Sequence, residues 1–382
     1  MIIRISNIIT PLVLTIALSI TGCSEDKAPV IGKARVPKTP TTQECSFFND
    51  GACINDNEEL EIYKSYARID ENTQDYVVLL RGWIYQSSII DTRSVFLTLL
   101  EGQIDSPPAR PANINSRIDP FLVDNQSGEV IKVAIGSKVY ALDPSLSSGF
   151  LSGEIHISSQ QAEAIFDKQG NDTYISYRVL LPADEKREFK GKIDVVSNDG
   201  IIVVSDIDDT IKISEVYISE SRLLENIFYK EERSVPDMST FLQTLENENE
   251  SPLFFYVSGS PKQMNKSLTN FLDEKEFPKG YIYLKDFQVT TISSFLDTNS
   301  TYEHKLKNIR ALFKEFPRRE FILIGDSGEK DPEVYGKLFE EYSSRIKSIH
   351  IRNVTSETLD NVRFKNIFPI SIDKVTLIEA NI

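Results

Sequence analysis

The chain has 382 residues and a formal net charge of −15, with 42 Lys and Arg against 57 Asp and Glu, which argues against a binder of duplex DNA or RNA, whose phosphates demand a basic face. Hydrophobic residues at 40% and charged residues at 26% give a globular balance with material for two or three cores. Three His and three Cys leave little for a nitrogen and sulfur metal site, so any metal falls to carboxylates.

Residues 1–22 carry one early positive charge, Arg4, and run apolar from Ile8 to Ile20. That is too short for a spanning helix and suits a secretory signal. Ile20-Thr21-Gly22-Cys23 resembles the bacterial lipobox. The resemblance implies cleavage before Cys23, lipidation of Cys23 and, through Ser24, sorting to the outer membrane with the chain facing the periplasm. The alternative is a plain cleavable signal followed by a chance cysteine. Acyl chains anchor at roughly 0.8 kcal/mol per buried methylene. Residues 23–58 read as the lipidated tether, with Pro29, Pro37 and Pro40 and no amphipathic period. Cys45 and Cys53 follow, and an oxidising compartment favours a disulfide between them over two free thiols.

From 59 to 195 the pattern is strand-like. Tyr76–Tyr85, Val95–Leu100, Phe121–Asp124, Val130–Ile135, Gly153–Ile157 and Tyr174–Leu181 are short runs punctuated by turn residues. Only Ser159–Asp167 suggests a helical turn. The expectation is a β-rich, sandwich-like domain without a nucleophile and base.

From 196 to 382 the period changes. Ile201–Ser205, Leu253–Val257 and Phe321–Ile324 are wholly apolar runs, the mark of buried parallel strands. Met238–Glu246, Lys262–Leu272 and His304–Phe316 read as helices between them, the last with Leu306, Ile309, Phe313 and Phe316 on one stripe. Asp331-Pro332 suits an N-cap and first-turn proline. The predicted class is α/β with a parallel sheet, whose ligands bind beyond the carboxyl ends of the strands.

Those ends carry the chemistry. Asp206-Ile207-Asp208-Asp209-Thr210 follows the first run, Ser258-Gly259-Ser260-Pro261 the second, and Gly325-Asp326-Ser327-Gly328-Glu329-Lys330-Asp331 the third. Lys305 opens the helix before the last of these. Gathered carboxylates repel one another and raise each other's pKa unless a cation stands among them, and Mg²⁺ prefers such oxygens. Asp206 and Asp208, two apart, share a face of an extended chain. One carboxylate can attack phosphorus while the other protonates the leaving alcohol, so that an aspartyl-phosphate divides the hydrolysis into two steps.

Ser258, Lys305 and Asp326 lie 52, 99 and 120 residues after Asp206. That order and spacing resemble the haloacid dehalogenase phosphohydrolase superfamily, with a Rossmann-like parallel sheet. Within it, SDIDDTIK at 205–212, YVSGSP at 256–261, HKLKNI at 304–309 and FILIGDSGEKDPEVY at 321–335 resemble the phosphatidate phosphatase family named for its actin-patch founder. The resemblance covers roughly residues 195–355. It implies Asp206 as nucleophile and Mg²⁺ ligand. Asp208 is then the general acid and base with its carbonyl on the metal, Thr210 fixes the loop, and Ser258 holds phosphoryl oxygens. Lys305 neutralises the phospho-aspartate and Asp326 is the second metal carboxylate. Asp331 is a helix N-cap, a water-mediated metal ligand or the partner of Lys305. Gly259 departs from the family's usual polar residue.

Ser260 is the alternative to Ser258, Lys262 and Arg352 are candidates for a headgroup contact, and His304 and His350 are expected to be structural. The substrate-selecting insertions, roughly 211–250 and 261–303, cannot be decoded from one sequence. The function implied is a Mg²⁺-dependent phosphatidate phosphatase, with phospholipid substrate and a lipid anchor as partners and no nucleic acid. The alternatives are a periplasmic phosphatase of a soluble phosphomonoester or phosphoprotein, and an idle envelope scaffold.

Overall fold

Two sheets built from these two sequence patterns organise the computed structural model, which describes residues 54, 57–88, 91–170, 172–181, 185–286, 298–369 and 372–379. Segment 1–22, Cys23, Cys45 and Cys53 lie outside the described residues, and no described helix is long and apolar enough to cross a membrane.

The first sheet contains β1 (Glu58–Ile62), β2 (Ser65–Ile69), β3 (Tyr76–Ser87), β4 (Val123–Asn125), β5 (Lys132–Ile135), β6 (Lys138–Ala141), β7 (Phe150–Ile157), β8 (Phe166–Gln169), β9 (Asp172–Val179) and β10 (Lys190–Val195). Its path runs β1-β3-β2-β10-β9-β5-β6, with β4 and β7 also on β3 and β8 on β9. After β6 the chain returns to β7, where Asp143 N donates to Ser152 O at 2.9 Å. Leu60, Val78, Leu80, Val133, Leu151, Ile155, Ile175 and Ile193, from six of these strands, meet in one core. The sheet therefore curls round a single interior, where the strand pattern had suggested two packed layers. The cause is β3, whose 12 residues are long enough to serve several partners.

Three short helices interrupt this sheet: α1 (Arg93–Glu101), α2 (Ile114–Ile118) and α3 (Ser159–Glu163). The Val95–Leu100 strand expectation is corrected, because Phe96, Leu97 and Leu100 form a helical stripe that packs on Leu224 and Phe228. Phe121–Asp124 is also corrected: a 3-10 turn, Asp119–Phe121, precedes the three-residue β4.

The second sheet is parallel, in the order β13-β12-β11-β14-β15-β16, from β11 (Ile201–Ser205), β12 (Leu253–Pro261), β13 (Gly280–Lys285), β14 (Glu320–Asp326), β15 (Ile346–Asn353) and β16 (Val375–Glu379). Its helices are α4 (Glu220–Phe228), α5 (Met238–Glu248), α6 (Asn265–Glu274), α7 (Thr298–Glu315), α8 (Asp331–Tyr342) and α9 (Val362–Ile367). Alternation along β11 feeds both faces. Ile202 and Val204 meet Leu306, Ile309 and Phe313 of α7 and Val334 and Leu338 of α8. Ile201 and Val203 meet Met238 and Leu242 of α5 and Leu268 and Phe271 of α6. Every β11 residue is consequently buried. Successive strands run outward from β11 in one direction and then, from β14, in the other. The crevice lies at that switch, between the ends of β11 and β14.

Lys262–Met264 is a 3-10 turn ahead of α6 because β12 extends to Pro261. Asp331 is the first residue of α8 and not its cap, since Lys330 holds the cap position.

Arg319 ties the N-terminal ends of this sheet together. It is 0% exposed and donates to Ser197 O at 3.1 and 2.7 Å, Ile201 O at 2.8 Å and Ser251 O at 2.8 Å. A lysine cannot span three carbonyls. Arg319→Lys is expected to lower unfolding free energy by about 2–4 kcal/mol, measured by urea denaturation, because buried carbonyls are left unpaired.

Candidate active site

The loop after β11 begins as a continuation of the sheet, with Asp206 N donating to Ile324 O at 2.9 Å. Ile207 is buried in the apolar core, and the carboxylates on either side of it take separate partners. Asp209 adopts φ 57°, a left-handed turn that Asp tolerates. Its carboxylate accepts from Ser214 N, Glu215 N and Val216 N at 3.0, 2.7 and 2.6 Å, which closes the loop. Arg352, from β15, donates to Asp209 O at 2.7 Å. Arg352 thus braces the loop that carries Asp206 and Asp208.

Asp206 is 1% exposed. Thr210 Oγ1 donates to its Oδ2 at 3.0 Å, and Lys305 Nζ lies 2.8 Å from Oδ1. That contact is an ion pair, and Oδ1 has no hydrogen-bond partner among the described residues. The same Nζ reaches Asp331 Oδ1 at 2.5 Å and Glu329 Oε2 at 3.0 Å. Of the readings open for Asp331, the structure shows the Lys305 partner; its other oxygen accepts from Asp326 N at 3.2 Å.

Asp208 belongs to a second group. Ser214 Oγ donates to its Oδ1 at 2.5 Å, while Ser258 Oγ and Ser260 Oγ donate to its Oδ2 at 3.0 and 2.8 Å. Lys212, fully buried, stands 3.9 Å from Oδ1. Ser258 and Ser260 thus share one carboxylate. Gly259 between them has a spatial reason: a Cβ there would meet Thr301 of α7 at 2.7 Å, so the side chain common in the family has no room.

Four carboxylates, Asp206, Asp326, Glu329 and Asp331, can bring ligand oxygens within 4.8 Å of one another. Asp208 is not among them, and its side chain stands apart from the acidic cluster, with the serines and Lys212. Glu329 does join, and the sequence reading passed over it. Its signal was its place between Asp326 and Asp331 in one short loop.

Burial pushes Asp206 well above the ordinary carboxylate range, with Asp331, Glu329 and Asp326 adding repulsion and Lys305 opposing. Burial likewise raises Asp326, reinforced by Asp331 and Glu329. For Asp208 burial is outweighed by Lys212 and the three hydroxyls, and its pKa falls below the usual value. Lys305 is held well above a free lysine by its carboxylate partners despite burial.

One lysine against four carboxylates leaves an ionised cluster with three uncompensated negative charges. Asp326 Oδ1 accepts from Gly328 N and Glu329 N at 2.7 and 3.1 Å, yet its Oδ2 is buried without a hydrogen-bond partner among the described residues. Oriented, desolvated and unpartnered oxygens of this kind fit a hard divalent cation.

His304 precedes Lys305 and contacts Tyr283 O at 3.3 Å through Nε2. Burial lowers it to about 4, Tyr283 O partly offsetting and Lys285, Lys305 and Lys307 adding to the fall. The unfolded chain takes this proton near pH 6.5 and the folded chain only near 4, so stability is lost on acidification across that window. The expected loss is roughly 2–3 kcal/mol, read from urea unfolding at pH 7 and pH 4.5 and largely absent in His304→Gln.

Residues 201–353 match the family model described as the catalytic domain of phosphatidate phosphatase APP1. The chain is 34% identical over 167 residues to phosphatidate phosphatase APP1 of Saccharomyces cerevisiae, covering 43% of this chain and 28% of that protein. It is 27% identical over 197 residues to an uncharacterized protein of Schizosaccharomyces pombe, covering 49% of this chain and 31% of that one. The chain thus spans under a third of the length of these relatives. A solved structure of a putative lipoprotein from Staphylococcus aureus aligns at 10% identity and a TM-score of 0.17 over 39% of this chain and 95% of that one, a likeness that carries no argument.

Proposed function

We propose that the chain is a Mg²⁺-dependent phosphatidate phosphatase of the haloacid dehalogenase type, releasing phosphate and diacylglycerol through a phosphorylated Asp206. One observation carries this reading. Asp206, Lys305, Asp326 and Asp331, far apart in sequence, enclose one buried carboxylate cluster inside the segment that matches the family model.

Asp206, Asp326 and Glu329 are the residues that would hold Mg²⁺, with the Asp208 carbonyl. The ion, when bound, supplies positive charge for the equatorial phosphoryl oxygens. Thr210 and Lys305 hold the Asp206 carboxylate for in-line attack. As the oxygen–phosphorus bond forms, the ester bond breaks and the departing alkoxide takes a proton from Asp208. Asp208 acquires that proton beforehand from solvent: as substrate binds, Ser258 and Ser260 turn their hydroxyls from Asp208 to the phosphoryl oxygens, and the carboxylate, having lost donors that stabilise its charge, takes up the proton it then gives to the alkoxide. Water then attacks the aspartyl-phosphate and returns a proton to Asp208.

A signal at 1–22 and lipidation at Cys23 complete the proposal. They would hold the crevice beside a membrane on the periplasmic side, where tethering raises the effective concentration of a lipid substrate.

The test is phosphate release by the full chain in detergent from dispersed phosphatidate and from an aryl phosphate, with Mg²⁺ or EDTA. Metal-dependent release from phosphatidate supports the reading. Release from the aryl ester alone discards the lipid substrate. In the same preparation, Asp326→Asn is expected to weaken Mg²⁺ binding at least about tenfold by calorimetry, since it removes one anionic ligand.

A further inference from the structure

Lys262 follows the Ser258–Pro261 segment directly, and the chemistry proposed above gives it no task. Its side chain is 1% exposed, and Nζ lies 2.6 Å from Asp286 Oδ1. The other oxygen of Asp286 accepts from Ser148 Oγ at 2.8 Å. Ser148 is buried and stands just before β7 in the first sheet. Lys262 Nζ also lies over the Trp83 ring, 5.7 Å from its centroid, and Trp83 is fixed in β3 by donating from Nε1 to Asn125 Oδ1 at 2.8 Å. A lysine enclosed by a carboxylate and an aromatic wall is held in place and does not extend toward a headgroup.

A second link runs through β13, the neighbour of β12. Arg81 of β3 stacks over Tyr283 with its guanidinium 3.6 Å from the ring centroid, and its Nη2 donates to Ile282 O at 3.5 Å. Tyr283 O in turn meets His304, the neighbour of Lys305. Both the Ser258–Ser260 segment and the part of α7 beside Lys305 are thereby tied to the same β-rich sheet.

We infer that the β-rich sheet braces the active site, with Lys262 as the positioning residue that holds the Ser258–Ser260 end of β12 through the relay Lys262–Asp286–Ser148. The inference rests on the phosphatase reading for its catalytic consequence, but the brace itself is testable without turnover. Ser148 touches no reacting group, so a change there reaches the hydroxyls of Ser258 and Ser260 only through the relay.

The experiment uses the full chain with Ser148→Ala, Ser148→Thr and the paired Lys262→Met/Asp286→Leu, which removes both charges so that neither is left buried alone. Amide hydrogen exchange across residues 258–264 and inhibition by inorganic phosphate are read beside thermal midpoints. Ser148→Ala is expected to exchange faster in that segment and to bind phosphate about five-fold more weakly, the worth of one hydrogen bond. Ser148→Thr, which keeps the hydroxyl, is expected to restore both, and the paired variant to show the larger effect while still folded. Unchanged exchange at 258–264 in Ser148→Ala and in the paired variant overturns the brace, whatever the activity. A wild-type chain that releases no phosphate from any ester overturns the phosphatase reading instead, and leaves the exchange result to decide the brace alone.

Discussion

Asp206→Asn is expected to reduce metal-dependent phosphate release by at least about 10³-fold while leaving the thermal midpoint no lower than wild type in EDTA. The first effect follows from the proposed role of Asp206 as the carboxylate that forms the phosphorylated intermediate. The second follows from electrostatics. Asp206 shares its enclosure with Asp326, Glu329 and Asp331, and these neighbours together with burial hold its pKa far above the ordinary range. A neutral amide of the same shape relieves that repulsion, and Lys305 keeps its contacts with Asp331 and Glu329. Loss of activity without loss of stability separates a chemical role from a structural one. A steady-state phosphate assay and a melting curve in EDTA on the same preparation check both halves.

Lys305→Met reverses that pattern and affects both quantities. The lysine is 1% exposed and is the cation for Asp206, Glu329 and Asp331. Its removal is expected to cost about 3–5 kcal/mol of stability at pH 7, the usual penalty for leaving buried charges unpaired, and to abolish measurable turnover. The sign with pH is opposite to that at His304. Asp206, Asp326 and Glu329 have folded pKa values raised above their unfolded values, so the folded state gains relative stability from their protonation. That contribution is present at low pH and lost as pH rises through the folded values. The deficit of Lys305→Met relative to wild type should therefore shrink on moving from pH 7 to pH 5 in EDTA. Urea unfolding of both proteins at the two pH values reads it directly.

The residues that line the crevice were legible because each follows a wholly apolar run, and such runs are recognisable as buried parallel strands. Asp206 after IIVVS, Ser258 at the end of LFFYV and Asp326 after FILI needed only the rule that ligands gather at the carboxyl ends of such strands. Lys305 was legible from the stripe of Leu306, Ile309, Phe313 and Phe316, all buried, although the helix begins at Thr298 and carries Lys305 inside it, where the sequence reading had put Lys305 at its opening. Glu329 was not, because a glutamate in a polar loop reads as solvated until the fold turns it toward Lys305. Lys212 was missed, and Lys262 was read as a headgroup contact, for the same reason: no local pattern announces that a lysine will be fully enclosed. In the β-rich part, Val95–Leu100 misled because a six-residue apolar run carries too little period to separate a strand from a helix. The curl of the first sheet was invisible, since it depends on β3 pairing with four other strands, a property of register and not of composition.

The account turns on a phosphoryl group passing through Asp206, and the most direct measurement is to trap it. The full chain with Mg²⁺ would be mixed with an excess of phosphate ester, quenched in acid within milliseconds and digested, and the peptides mapped by mass. The account predicts a phosphate adduct on Asp206 that decays on further incubation and is absent from Asp206→Asn. Turnover with the adduct on another residue, or undiminished turnover in Asp206→Asn, would contradict it.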